Sequence, residues 1–115
     1  MTAHRAALAL AGAGLALVFV GCGAVGRRTP GERIWRAECA HCHGLDAAGN
    51  TPRFMGNPWA DLTDDRWKSY GGDRSGLDMS IRQGSFPDMP AFDQLTAEEM
   101  RSLLDHLAEL RGEKL

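Results

Sequence analysis

The distribution of apolar and charged residues divides the chain into two unequal parts. No charged residue occurs in positions 6–26, where alanine, glycine, leucine and valine predominate. A helix built from that run would have no polar face, which argues against an amphipathic helix packed on a cytosolic domain. We therefore assign residues 1–21 to a signal peptide or membrane anchor, residues 22–29 to a linker, and residues 30–115 to an exported domain.

Three interpretations of the N-terminal run remain open. Residues 6–20, followed by a small residue, suit a secretory signal that is cleaved after export. The four residues ending at Cys22 also resemble a bacterial lipobox, in which that cysteine becomes the lipidated first residue. Alternatively, residues 6–26 are just long enough to remain as a spanning anchor. All three place the remaining chain in the periplasm or at the outer face of the cell, and the last two attach it to the membrane.

Beyond this run the pattern is helical. At residues 29–32 a threonine, a proline at the first helical position and a glutamate match a helix start with a capping box. Gly31 and Trp35 then fall on one face of a helix that we expect to end between Cys39 and His41. Near the C-terminus a second capping box, from Thr96 to Glu99, precedes five apolar residues at helical spacing: Met100, Leu103, Leu104, Leu107 and Leu110.

Glycines and prolines predict a loop over residues 44–62, and two prolines mean that residues 85–95 cannot be helical throughout. Between these two segments we expect two short helices. One follows Thr63, carries Trp67 and ends at two glycines, and the other runs from a cap at Ser75 to Gly84. The prediction is an all-α domain of three to five helices with long connections.

Charge and cysteine content narrow the function. The chain has a formal charge of −2, and residues 30–115 carry ten basic against 15 acidic residues, a formal charge of −5. These values argue against a nucleic-acid binder. A folded part of this size buries a modest core and often requires a staple, yet three cysteines cannot all pair internally. A bound metal or cofactor is therefore expected.

The candidate chemistry lies in residues 39–43, which contain the C-x-x-C-H pattern of covalent haem attachment. Two thiols at this spacing, Cys39 and Cys42, reach the two vinyl groups of one haem, and His43 then faces the iron as the proximal ligand. A thioredoxin-like redox pair would require a βαβ context, and a zinc site would require more ligands at close spacing. We therefore predict one covalently bound c-type haem.

Residues 30–110 resemble small class I bacterial cytochromes c. The matching residues are Gly31, Trp35, Cys39, Cys42, His43, Gly44, Asp46, Gly49, Ile81, Gly84, the segment Met89-Pro90-Ala91-Phe92, Leu95 and Thr96. The resemblance implies a class I cytochrome c fold, all-α, with short helices around one haem. His106 stands where the last helix of the family often carries a tyrosine. We interpret it as a packing imidazole, with a distal ligand or a redox-linked proton site as alternatives.

Four methionines follow the haem motif, and we predict that Met89 is the distal iron ligand. Pro87 and Pro90 flank it and restrict its backbone, which can hold a thioether over the iron. Met79 and Met100 are predicted to be core residues, and Met55 lies in a loop on the proximal side.

The surroundings of the haem are inferred from the same resemblance. It implies that the second ring nitrogen of His43 bonds a backbone carbonyl at Pro52 or Pro58. Trp59, Trp67 and Tyr70 are candidates to bond the haem propionates, with core packing as the alternative.

His and Met ligation fills both axial positions, so no substrate reaches the iron, and we predict an electron carrier rather than an enzyme. The carrier is expected to be a monomer that exchanges electrons with respiratory donor and acceptor proteins, and its negative charge favours partners with a basic docking patch. Two alternatives are an electron-receiving subunit of a larger oxidase or reductase, and a haem sensor or peroxidase-like enzyme with a labile sixth ligand.

Overall fold

The computed structural model describes residues 26–66, 73–85, 87–112 and 115. Helical segments span Pro30–Ile34 (α1), Trp35–Cys39 (a π-helical turn), Ala40–His43 (α2), Arg74–Gln83 (α3) and Ala97–Arg111 (α4). Within these ranges the β-type pairing is one isolated bridge between Ser85 and Met89, so the all-α prediction is confirmed. None of the described helices is long and apolar enough to cross a membrane. The predicted signal or anchor segment and Cys22 lie outside the described residues.

The first three segments form one continuous helical run. The Thr29 hydroxyl accepts the Glu32 N–H at 3.1 Å, as the predicted cap requires. The Glu32 carboxylate, predicted to complete a capping box, instead accepts a hydrogen bond from Arg36 Nε at 3.0 Å. The run continues to His43, past its predicted end, and stops at Gly44, where φ is +83°.

The π-helical turn changes the regular helix that the sequence pattern predicts. The Ala40 N–H donates to the Trp35 carbonyl, five residues earlier, rather than to a residue four earlier. Trp35 is buried in the core at the start of this turn, and Cys39 at its end is half-buried. The wider turn therefore sets the position of the start of the haem motif relative to the core.

Helices α1 and α4 cross in direct backbone contact at Gly31. The Gly31 N–H donates to Ser102 Oγ at 2.8 Å, and a Cβ built on Gly31 would lie 1.9 Å from the Ser102 carbonyl oxygen. The crossing lies over the core cluster of Trp35, Ala47, Met100, Leu103, Leu104 and Leu107. Met100 is 1% exposed, which confirms its predicted place in the core.

We expect Gly31→Ala to destabilise the domain by about 1–3 kcal/mol or more, because the added methyl overlaps backbone that cannot rotate away. The measurement is the free energy of unfolding in denaturant. Ser102→Ala is the matched control: it removes only the hydrogen bond to Gly31 and should cost about 1 kcal/mol. Equal losses for the two variants would contradict the predicted backbone overlap.

Helix α3 begins before the predicted cap at Ser75. Asp73 is the N-cap, and its carboxylate accepts the Gly76 N–H at 2.7 Å. Met79, predicted to be core, is 58% exposed and that prediction is wrong, because α3 turns Leu77 and Ile81 inward instead. The other predicted helix, after Thr63, would carry its tryptophan and terminal glycines in residues 67–72, which lie outside the described residues.

Side-chain contacts attach the remaining elements to α4. The capping box from Thr96 to Glu99 is confirmed, with both reciprocal hydrogen bonds present. Arg74 Nη2 donates to the Asp105 carboxylate at 2.5 Å and joins α3 to α4. The Arg111 guanidinium, 2% exposed, donates to the carbonyls of Leu62 and, at 2.9 Å, of Asp64. Nothing in the sequence pattern predicted that Arg111 would hold this loop.

Candidate haem site

An apolar cleft of about 170 Å³ lies between the haem motif and α3. Its lining comprises residues of α3 and α4 together with Trp35, Cys39, His43, Trp59, Leu62 and Met89. A second cavity, of about 500 Å³, is lined by Cys42 and by residues 87–91, and it shares Met89 with the first. The four residues predicted to hold the haem therefore all line one or both of these two cavities.

The two motif cysteines are free thiols, one lining each cavity. Burial raises the pKa of Cys39 to about 12, and the nearby Glu38 and Cys42 add to this effect. Cys39 is therefore a neutral thiol at neutral pH. A thioredoxin-type dithiol depends on a cysteine of lowered pKa, so the environment disfavours that alternative.

The His43 imidazole is held by a single backbone contact, in which its Nδ1 lies 2.8 Å from the Ala60 carbonyl oxygen. Burial lowers the pKa of His43, the charge of His41 lowers it further, and the bond to Ala60 acts in the opposite direction. A neutral ring with its Nδ1–H donated to Ala60 leaves Nε2 as the metal-binding atom.

The predicted acceptors for this ring, Pro52 and Pro58, are wrong. Both prolines are exposed, whereas Ala60 is buried. The Ala60 N–H closes a turn on the Asn57 carbonyl at 3.1 Å, and this turn brings the Ala60 carbonyl to the ring. The acceptor thus depends on the path of the loop rather than on the position of a proline.

Three hydrogen bonds fold residues 44–62 against the end of α2. The Gly49 N–H donates to the His43 carbonyl at 2.7 Å. The Trp35 Nε1 donates to the Gly44 carbonyl at 3.1 Å. The buried Thr51 hydroxyl donates to the Cys42 carbonyl at 3.2 Å. Carbonyl groups at the end of a helix lack intrahelical hydrogen-bond donors. These three contacts supply donors to such carbonyls and fix the backbone of the haem motif. Sequence reasoning missed Thr51, which no spacing or residue pattern marks.

Of the four methionines after the motif, Met89 alone lines a cavity together with His43. Met55 is 73% exposed, Met79 lies on the surface, and Met100 is buried in the core. The Met89 backbone exchanges two hydrogen bonds with Ser85, each of 2.8 Å.

His106 packs on Trp35, with ring centroids 6.1 Å apart, and the opposing His43 ring lies 6.1 Å from Trp35. His106 lines neither of the two cavities. This contact agrees with the packing interpretation rather than with a distal ligand.

Among the predicted propionate partners, Trp59 lines the cleft, and the Arg66 guanidinium lies 5.8 Å from the centre of its ring. Trp67 and Tyr70 lie outside the described residues. Two free thiols, a neutral imidazole, a thioether and an apolar lining together suit a covalently attached haem.

Comparison with known proteins identifies a family and several relatives of this chain. A family model described as "Cytochrome C oxidase, cbb3-type, subunit III" matches residues 26–107. The chain is 33% identical over 94 residues to the cbb3-type cytochrome c oxidase subunit CcoP of Rhodobacter capsulatus, covering 75% of this chain and 30% of the relative. It is 35% identical over 85 residues to subunit FixP of Bradyrhizobium diazoefficiens, covering 73% and 28%.

The chain spans less than a third of the length of these curated relatives. No solved structure gave a significant match. Because the family match covers most of the chain, including the haem motif and the Met89 segment, the chain belongs to the cbb3-type cytochrome c oxidase subunit III family, with an all-α cytochrome c fold and a covalently bound c-type haem.

Proposed function

We propose that this chain is a single-haem electron-transfer domain through which electrons enter a cbb3-type oxidase. The relatives are named as subunits of that oxidase, which favours this role over a freely diffusing carrier. The observation that carries the proposal is the cleft itself, because Cys39, His43 and Met89 line the same apolar space.

In this proposal each site residue has a separate task. Cys39 and Cys42 would form the thioether bonds to the haem, His43 would be its proximal ligand and Met89 its distal ligand. The haem supplies reversible one-electron chemistry between ferric and ferrous iron. The Ala60 carbonyl holds the Nδ1 proton of His43 and so keeps Nε2 directed at the metal.

The lining of the cleft supports electron transfer rather than substrate chemistry. With two protein ligands, the haem iron would have no open position, and the leucines and isoleucine that line the cleft would exclude water and favour a high potential. Electrons would leave at the more open cavity beside Cys42, where exposed His41, Arg53 and Asp88 form the rim.

The proposal extends to location and partners. The domain would lie outside the cytoplasm, attached to the membrane through a lipidated Cys22 or the N-terminal helix. The formal charge of −5 on residues 30–115 favours partners with a basic docking patch, both the donor protein and the oxidase subunit that receives the electron.

The test is purification of the full chain, tagged at its C-terminus, from detergent-solubilised membranes of cells that contain the oxidase. We expect one haem per chain, recovery in the membrane fraction, and co-purification of other subunits of the oxidase. The co-purified assembly should oxidise the reduced haem of this chain, with oxygen as the final electron acceptor. Recovery as a haem-loaded monomer that donates electrons only through diffusing proteins would contradict the subunit role and support a free carrier.

A further inference from the structure

Backbone hydrogen bonds and a close backbone approach connect the segment around Met89 to the end of α3. Residues 85 and 89 exchange two backbone hydrogen bonds of 2.8 Å, which close a five-residue loop. The Phe92 N–H then donates to the Ile81 carbonyl at 3.0 Å, and the Phe92 side chain is buried. The loop that carries Met89 is thus closed on itself at Ser85 and attached to α3 through Phe92.

Gly84 lies where this loop leaves the helix, and its geometry excludes a side chain. Its φ is +69° with ψ near −173°, a conformation that is restricted to glycine. A Cβ built there would lie 2.7 Å from the Met89 carbonyl oxygen and 2.6 Å from the Pro90 carbonyl carbon. The three nearest atoms, all within 3 Å, belong to the backbone, so no rotamer change relieves their overlap with the Cβ.

We propose that Gly84 is a positioning residue that sets the approach of the Met89 thioether to the iron. The absence of a side chain lets the 89–91 backbone lie against the end of α3. An added Cβ would push that backbone, and the Met89 side chain with it, out of place. This inference rests on the proposed role of Met89 as the distal ligand.

Gly56 provides a matched comparison within the same chain. Its φ is +83°, close to that of Gly84, but an added Cβ would meet nothing within 4 Å. Alanine at position 56 therefore introduces the conformational strain of a positive φ without the overlap. An effect on the Met89 readouts that occurs at position 84 and not at position 56 is specific to the place of Gly84 beside residues 89–91, and does not follow from a positive φ alone.

The test uses the haem-loaded full chain with Gly84→Ala, Gly56→Ala and Met89→Ala. The readouts are the absorption band of a thioether bound to ferric iron and the affinity for added imidazole. Gly84→Ala should weaken the band and raise the imidazole affinity by about tenfold or more, because the displaced thioether competes less well. Gly56→Ala should match the wild type in both readouts. Ser85→Pro, which removes the N–H donated to the Met89 carbonyl, should shift both readouts in the same direction as Gly84→Ala.

Ser85→Pro also keeps the test valid where Gly84→Ala does not accumulate. Two outcomes would overturn the positioning role. One is a wild-type band and a wild-type imidazole affinity in Ser85→Pro, and also in Gly84→Ala where that variant accumulates. The other is an equal change in Gly84→Ala and Gly56→Ala. In those cases loss of the band in Met89→Ala still supports the proposed function. Retention of the band in Met89→Ala would instead overturn the ligand assignment, and the positioning role with it.

Discussion

Replacing Cys39 or Cys42 with alanine should lower the yield of haem-loaded protein by about tenfold or more. Each variant keeps at most one thioether bond, while the cleft still depends on a cofactor to cover its apolar lining. Haem binding contributes directly to folding when the site does not exist in the unfolded chain. The haem-free protein should therefore be largely unfolded.

Haem staining after denaturing electrophoresis measures the covalent attachment, and circular dichroism measures the helix content. Cys22→Ala serves as the control, since this third cysteine lies outside the haem motif and should leave haem attachment unchanged. A haem-free variant with full helix content and a cooperative thermal transition would contradict the prediction.

Replacing Met89 with alanine should lower the midpoint potential by on the order of 0.1 V or more and open the sixth position to water or an added ligand. The reason is that a thioether stabilises ferrous iron relative to the oxygen or nitrogen donors that replace it. Peroxidase-like activity should appear because peroxide then reaches the iron. Redox titration, imidazole binding and a peroxidase assay measure these effects.

Met79→Ala and Met55→Ala are the controls for Met89→Ala. Both side chains are exposed, so we expect an unchanged spectrum and a change in unfolding free energy within about 0.5 kcal/mol. A thioether spectrum that survives Met89→Ala but is lost in one of these controls would show that the ligand is assigned wrongly. Loss of the sixth ligand in His106→Ala alone would indicate a bis-histidine site.

Local chemistry determined a large part of this protein from its sequence. The helix starts at Thr29 and Thr96 follow from side chains that bond backbone N–H groups three residues away. The C-x-x-C-H spacing and the prolines around Met89 act over a few residues, so they can be read without knowledge of the fold. The spacing of apolar residues in α4 predicted its buried face, because helical geometry is regular.

Only the tertiary structure decided features that depend on chain segments meeting from a distance. The acceptor for His43 is 17 residues away, and its identity depends on how residues 44–62 fold rather than on which of them are prolines. Met79 lies on the surface because Leu77 and Ile81 take the inward positions of α3. The close approach at Gly31 and Gly84 likewise exists only once the elements are packed. Such contacts join residues that are separated along the chain, and the order of residues in the sequence does not give the distances between them in the fold.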